Sequence, residues 1–228
     1  LRVMSVTFSY MEGTAPLDEF VTRGGNRPYA YLLYSRLGDL FVEKQRYQDG
    51  ASTYRAFVAR DPNNEHAPGL ASQAIEAYRK GGFAQLVLDG KREYAERYNF
   101  DAPFWQGRER ADYPQVVAEL KSSLLDVAQW YHANAQKSRS AEDFQQAARW
   151  YRAMLASFPQ EPDTPRTHFL LADALFEAGD FAQAALEYER TAYDYPLSAE
   201  SARAAYAALD ARTRQETRLP EAEKAAWH

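Results

Sequence analysis

Apolar side chains in this chain recur at three- and four-residue intervals, in blocks punctuated by proline and glycine. That period belongs to helices with one buried face. Leu70, Ala71, Ala74, Ile75 and Tyr78 predict a helix over 68–80, and a second follows Gly81-Gly82 over 83–98. Val116, Leu120, Leu124, Val127, Ala128, Tyr131 and Ala135 predict an unusually long helix over 115–137. An Ala-rich block predicts a last helix over 198–212, followed by a polar tail over 213–228. Between 100 and 114 the period breaks, with Phe104, Trp105, Gly107, Tyr113 and two prolines in an irregular connection. Near the start, Met4, Val6, Phe8 and Tyr10 alternate, which fits either a short strand or the stump of an earlier helix.

The blocks also resemble one another. Tyr47, Phe144 and Phe181 are each followed three positions later by a small residue (Gly50, Ala147, Ala184) and seven positions later by Tyr54, Tyr151 or Tyr188. A proline stands eight positions after each of those tyrosines, at Pro62, Pro159 and Pro196. Upstream, Tyr34-x-x-Leu37-Gly38-x-x-Phe41 and His168-x-x-Leu171-Ala172-x-x-Leu175 hold the same spacing to Tyr54 and Tyr188. The small residues let two antiparallel helices approach closely, and the large ones fill the space beside them. Each helix pair then leaves an apolar face that the next pair covers. Proline stops the second helix of each pair, because it has no N–H and its ring clashes with the preceding turn.

Local signals agree with this division. Pro28, Pro68 and Pro165 suit the first helical position, with Thr164 as the cap before Pro165. Ser140-x-x-Asp143 is a candidate capping box for the helix carrying Phe144. Gly81-Gly82 and Gly179-Asp180 suit tight turns between paired helices.

The pattern aromatic-x-x-Leu-Gly-x-x-aromatic, then small-x-x-x-aromatic, then Pro, resembles the tetratricopeptide repeat. The resemblance implies an all-α fold: a right-handed α-α superhelix of about four helix hairpins plus a C-terminal helix. On this division 1–27 is a lead-in, 28–99 holds hairpins one and two, and 100–114 is an insertion. Residues 115–212 hold hairpins three and four with a capping helix, and 213–228 is the tail. Three segments resemble bacterial cell-envelope tetratricopeptide proteins more closely: Tyr94-x-x-Arg97-Tyr98, Trp150-Tyr151-Arg152-x-Met154-x-x-x-Phe158-Pro159, and Tyr188-Glu189-x-x-Ala192-Tyr193-x-x-Pro196. That group includes the outer-membrane assembly lipoproteins of the BamD type and the division coordinator linked to the Tol-Pal system. It implies a non-catalytic scaffold binding other proteins or peptides, in the periplasm or at the inner face of the outer membrane. The irregular 100–114 segment and the absence of a lipidation Cys depart from the BamD type. A cytoplasmic location remains the alternative. So does a helical scaffold region of a larger peptidoglycan- or polysaccharide-processing enzyme or secretion complex. The opening Leu1-Arg2-Val3-Met4 carries no secretory pattern and is read as lying within a longer chain.

Composition narrows the chemistry. Among 228 residues, Lys and Arg number 27 against 32 Asp and Glu, a net charge of -5, which disfavours a nucleic-acid partner. Cysteine is absent, which removes thiolate nucleophiles, disulfides and zinc-thiolate sites. No apolar run approaches the ~18 residues of a membrane span. The four histidines, His66, His132, His168 and His228, make no metalloprotease pair. His168 holds a position normally taken by a large packing residue. Asp61-Pro62-Asn63-Asn64-Glu65 is read as an inter-repeat turn, and Gly24-Gly25-Asn26 is too short to cradle phosphate. Glu142-Asp143, and Asp173 with Glu177, are possible acid/base pairs but read first as solvated helix faces. No catalytic residue, metal site or cofactor is predicted.

In tetratricopeptide folds the first helix of each pair lines a concave groove. The groove candidates are therefore Leu32, Ser35, Arg36 and Asp39 in the first pair and Phe169, Asp173 and Phe176 in the last. Gln129, His132 and Gln136 join them from the long helix. An exposed Phe169–Phe176 stripe suits an extended or amphipathic peptide. Phe104 and Trp105 fall off the repeat grid: they either plug a gap between the repeat doublets or form an exposed anchor for a partner.

Overall fold

The computed structural model describes residues 14–24 and 27–220. The alternating Met4–Tyr10 stretch, Gly25-Asn26 and His228 lie outside the described residues. All regular structure among the described residues is helical. The helices are α1 (Ala15–Gly24), α2 (Ala30–Glu43), α3 (Tyr47–Arg60), α4 (Ala67–Lys80) and α5 (Ala84–Arg97). They continue with α6 (Pro114–Ser138), α7 (Ala141–Ser157), α8 (Thr164–Glu177), α9 (Phe181–Tyr193) and α10 (Ala199–Arg218). The chain divides into two compact units, residues 1–123 and 124–228, with the boundary inside α6 rather than in the 100–114 segment.

In the first unit each helix from α2 to α5 packs on its neighbours in sequence. The core is built from Leu33, Tyr34, Leu37 and Phe41 of α2, Tyr54 and Phe57 of α3, and Leu70 and Tyr78 of α4. Burying each such side chain contributes about 1.5–3 kcal/mol. Gly38 is where α2 and α3 come closest: a Cβ there would lie 2.3 Å from the Tyr54 ring. The small residue of the repeat grid therefore does what its spacing predicts.

Helix α1 is an addition to the expected lead-in. Leu17 and Val21, one turn apart, are buried in the first unit's core. The Tyr34 hydroxyl donates a 2.6 Å hydrogen bond to Asp18. Ten residues whose large apolar side chains are Leu17, Phe20 and Val21 span too few turns to separate from a linker.

The 100–114 segment folds as two 3-10 turns, Pro103–Trp105 and Arg110–Asp112. Phe104 is fully buried and Trp105 nearly so, which removes them as an exposed anchor. The Trp105 indole donates to the Tyr98 carbonyl at 3.0 Å. Phe104 meets Tyr98, Trp105 and Tyr113 edge-on, and the Arg108 guanidinium covers its ring at 4.5 Å. The insertion is thus a small aromatic core of its own within the first unit.

In the second unit α7, α8, α9 and α10 pack in sequence. Ala147 and Ala148 of α7, Ala172 of α8 and Ala184 and Ala185 of α9 are fully buried, beside Tyr151, Leu171 and Leu175. Helix α10 presents Ala204, Ala208 and Ala211 to this core, and Arg212 clasps Glu189 of α9 through two hydrogen bonds of 2.9 and 2.8 Å. It runs to Arg218, so the expected polar tail begins later than residue 213. Arg218 donates to the Gly179 carbonyl at 2.8 Å, which holds that last turn in place.

The turns inside the pairs α2–α3, α4–α5 and α8–α9 share one design. The N–H groups of Arg46, Phe83 and Asp180 reach back to the carbonyls of Phe41, Tyr78 and Leu175 at 2.8–3.0 Å. This is the Schellman closure, which places the preceding residue in the left-handed region. Gly82 (φ 75°) and Gly179 (φ 82°) take it freely, whereas α2 ends with Gln45 at φ 59°. At the start of α7, Ser140 accepts from the Asp143 N–H as expected. At α8 the cap differs: Thr164 is already helical and buried, and Pro165 stands in the second position rather than the first.

Candidate functional site

Helix α8 carries Asp173 and Glu177 one turn apart, with Phe176 between them. The Tyr188 hydroxyl, on the facing helix α9, donates to Asp173 at 2.5 Å. Across from them α6 contributes His132 and Gln136. These residues line a cleft of about 500 Å³, together with Arg139, Phe144 and Tyr188. Four sequence-predicted groove residues, His132, Gln136, Asp173 and Phe176, thus converge on one feature of the second unit.

His132 is only 7% exposed. Its Nδ1 lies 3.3 Å from the Tyr151 hydroxyl, and its ring meets Phe144 and Tyr151 edge-on. Burial lowers its pKa, while Asp173 and Glu177 act in the opposite direction. The imidazole is therefore largely neutral at pH 7. Burial raises the Asp173 carboxyl, with Glu177 adding to the rise; the Tyr188 hydrogen bond, His132 and Arg203 oppose it. Tyr188 is pushed far up by burial and by its carboxylate acceptor, so its hydroxyl stays protonated.

The other candidates separate from this cleft. Gln129 is exposed on α6 and does not line it. Phe169 and Phe176 do not form an open stripe. Phe169 is half-buried, packs on Tyr188 with ring centres 5.4 Å apart and lies under the Arg203 guanidinium at 5.2 Å. Phe176 packs on Phe181 and lies under Arg214 at 4.9 Å. Helix α10, whose arginines point back over the preceding pair, covers what the repeat grid left open.

In the first unit Asp39 takes the position equivalent to Asp173. It accepts from the Tyr54 hydroxyl at 2.7 Å and lines a smaller notch of about 350 Å³ with Glu43, Glu76 and Lys80. Leu32, Ser35 and Arg36 line neither of these two features. The other singled-out residues have structural partners. His66 stacks on Tyr31 with ring centres 3.5 Å apart. Asn64 ties the 61–65 turn through Asp61 and the His66 N–H. Asp143 accepts from Ser138 at 2.6 Å.

Sequence reasoning missed the partner of His168. This residue is buried as its repeat position predicts, but its Nδ1 meets the buried Glu187 carboxylate at 2.6 Å, and Arg190 also reaches Glu187. It missed too that an Asp on the first helix pairs with the grid tyrosine of the second. That signal is visible in hindsight, since Asp39–Tyr54 and Asp173–Tyr188 have the same spacing.

Among the described residues, no group of three or more His, Asp or Glu is arranged to hold a metal ion. No helix among them is long and apolar enough to cross a membrane. A comparison with curated proteins finds no match. The family model described as the tetratricopeptide repeat matches residues 133–215, from the last turns of α6 through most of α10. Together with helices that pack in adjacent pairs, this match makes the fold all-α and tetratricopeptide-like, as the repeat grid predicts.

Proposed function

We propose that this chain is a non-catalytic scaffold whose second unit receives a segment of a partner protein in the cleft between α6 and α8. Tetratricopeptide repeats commonly mediate protein–protein interaction, and that coarse function follows from the family match over residues 133–215. The finer reading is carried by one observation: His132, Gln136, Asp173 and Phe176, from two helices, line a single open cleft of about 500 Å³. Its side chains are of the hydrogen-bonding and aromatic types that orient a bound segment. The Tyr188 hydrogen bond to Asp173 and the exposure of Glu177 support the non-catalytic reading.

The envelope-type segments support a place in bacterial cell-envelope assembly or maintenance, in the periplasm or at the inner face of the outer membrane. Fractionation of the native protein tests that compartment, and recovery in the cytosol alone overturns it. The binding reading is tested by selecting ten-residue peptides from a random display library on the purified chain. The bound peptides are then mapped by amide chemical-shift changes. Expected are shifts concentrated at residues 132–139 and 173–177. Failure to select any peptide, or shifts confined elsewhere, overturns it.

A further inference from the structure

The cleft has a charge pattern that selects its occupant. Asp173 and Glu177 share one face of α8, and Glu177 has no ion-pair partner among the described residues. The wall opposite carries His132, nine-tenths buried, with its Nδ1 turned to Tyr151. Among the described residues the structure gives its other ring nitrogen no protein partner. A neutral imidazole there neither neutralises the two carboxylates nor competes with an incoming cation. Beside it, Gln136 and Arg139 supply donors suited to the carbonyl oxygens of an extended segment.

The first unit holds the same pair of carboxylates, Asp39 and Glu43, on the equivalent turn of α2, with Tyr54 in place of Tyr188. There the chain's own Lys80 lines the notch. The second unit has no lysine in its cleft. Its cation on this wall, Arg139, lies beyond the end of α6 at φ 57°, with an exposed side chain.

We propose that the α8 cleft takes the lysine or arginine side chain of the partner segment, held between Asp173 and Glu177, with the imidazole of His132 as the opposite wall. This rests on the reading that the cleft receives a partner segment and names the chemistry of that segment. The half-buried Asp173 carboxylate binds a cation more strongly than an exposed one, because less solvent screens it, and the exposed Glu177 adds a second negative charge one turn away. An acidic segment would meet the two carboxylates at close range and be repelled.

The test uses the same display selection on the full chain, followed by affinities of individual synthetic peptides. A Lys or Arg should be enriched at one fixed position of the selected peptides. Replacing that residue by Gln should weaken binding about tenfold. Asp173→Asn and Glu177→Gln should each cost the basic peptide about the same factor, and cost the Gln peptide clearly less. The amide oxygen introduced by Asp173→Asn can still accept from Tyr188, and Glu177 is exposed, so both variants retain the fold; circular dichroism checks this. Asp39→Asn, in the other unit, should change neither peptide. Peptides that bind in the cleft with no basic preference overturn this inference while leaving the binding reading intact. Enrichment of Asp or Glu, with binding that depends on Arg139, overturns it in favour of an acidic segment. No selectable peptide overturns the binding reading itself.

Discussion

The pairs α2–α3 and α8–α9 are written on the same repeat grid and solve their interiors differently. Both place a Leu, a small residue and an acid on the first helix, and a Tyr on the second that donates to that acid. In the first pair the small residue is Gly38, and the Tyr54 ring lies where a Cβ would be. In the second it is Ala172, fully buried. Where α2 has Tyr34, bonded out to Asp18 of α1, α8 has His168, bonded across to Glu187 of its own pair. One pair thus uses an added helix to satisfy its buried polar group, and the other uses a hydrogen bond between its own two helices. The grid fixes where polar groups are buried, and the neighbours decide how they are satisfied.

The largest expected effect tests that second solution. Glu187→Ala leaves the buried His168 Nδ1 without its hydrogen-bond partner and frees Arg190, and should cost about 3 kcal/mol in the unfolding of the second unit. Asp18→Ala, which removes the Tyr34 acceptor, should cost about 1 kcal/mol, since a tyrosine hydroxyl is neutral and its bond partly exposed. Urea denaturation of both variants measures the difference, and equal losses would show that the two pairs are held alike.

The next effect tests the close approach. Gly38→Ala forces a Cβ into a rigid ring and should destabilise the first unit by about 2 kcal/mol. Ala172→Gly removes a fitted methyl from a helix interior and should cost about 1 kcal/mol. A Gly38→Ala variant as stable as wild type in chemical denaturation would mean that α2 and α3 separate readily at Tyr54.

The same contrast explains what could be read from the chain beforehand. The helix pairs α2–α3 and α8–α9 were legible because the close approach demands small and large residues at fixed offsets, and α4–α5 because its apolar period breaks at Gly81-Gly82. Gly38, Tyr54, Ala172 and Tyr188 have few substitutes. Helix α1 was not, because Leu17, Phe20 and Val21 span too few turns. Trp105 reads equally as plug or anchor, since nothing in its local sequence states that Tyr98 offers it a carbonyl. The site was half legible. Helical periodicity puts His132, Gln136, Asp173 and Phe176 on the right faces, but the covering of Phe169 and Phe176 by Arg203 and Arg214 depends on how α10 returns over α8.

The acidic turn of the second unit should also respond to pH. Asp173 has a raised pKa through burial, so the folded chain keeps its proton to higher pH than the unfolded one, and ionising it costs stability as pH rises. Asp173→Asn should therefore raise the thermal midpoint at pH 7 and lose that advantage in acid, where the carboxyl is protonated in both states. His132 has a lowered pKa through burial, so the unfolded chain takes up the proton first. Its contribution is complete above the ordinary histidine value near 6.5 and is lost as pH falls through the lowered folded value. Besides Asp173 and Glu177, the group facing that imidazole is the Tyr151 hydroxyl, which burial keeps protonated throughout. His132→Gln should accordingly flatten the fall in thermal midpoint between pH 7 and pH 5. An unchanged slope would place the acid sensitivity elsewhere.

The smallest effect concerns the turns that close the two pairs. Gly179 and Gln45 occupy the same left-handed position, at φ 82° and 59°, under the same backbone closure. A residue with a Cβ pays about 1 kcal/mol or more there relative to glycine, although glycine also gains entropy in the unfolded chain and returns part of that difference. Gln45→Gly should therefore stabilise the first unit by about 0.5 kcal/mol, and Gly179→Gln should destabilise the second by somewhat more, because its Cβ would also meet the Arg218 guanidinium at 3.2 Å. Denaturant midpoints of the two variants measure both terms. If Gln45→Gly were neutral while Gly179→Gln remained costly, the strain at the second turn would come from Arg218 and not from the backbone, and the two closures would be alike only in their hydrogen bonds.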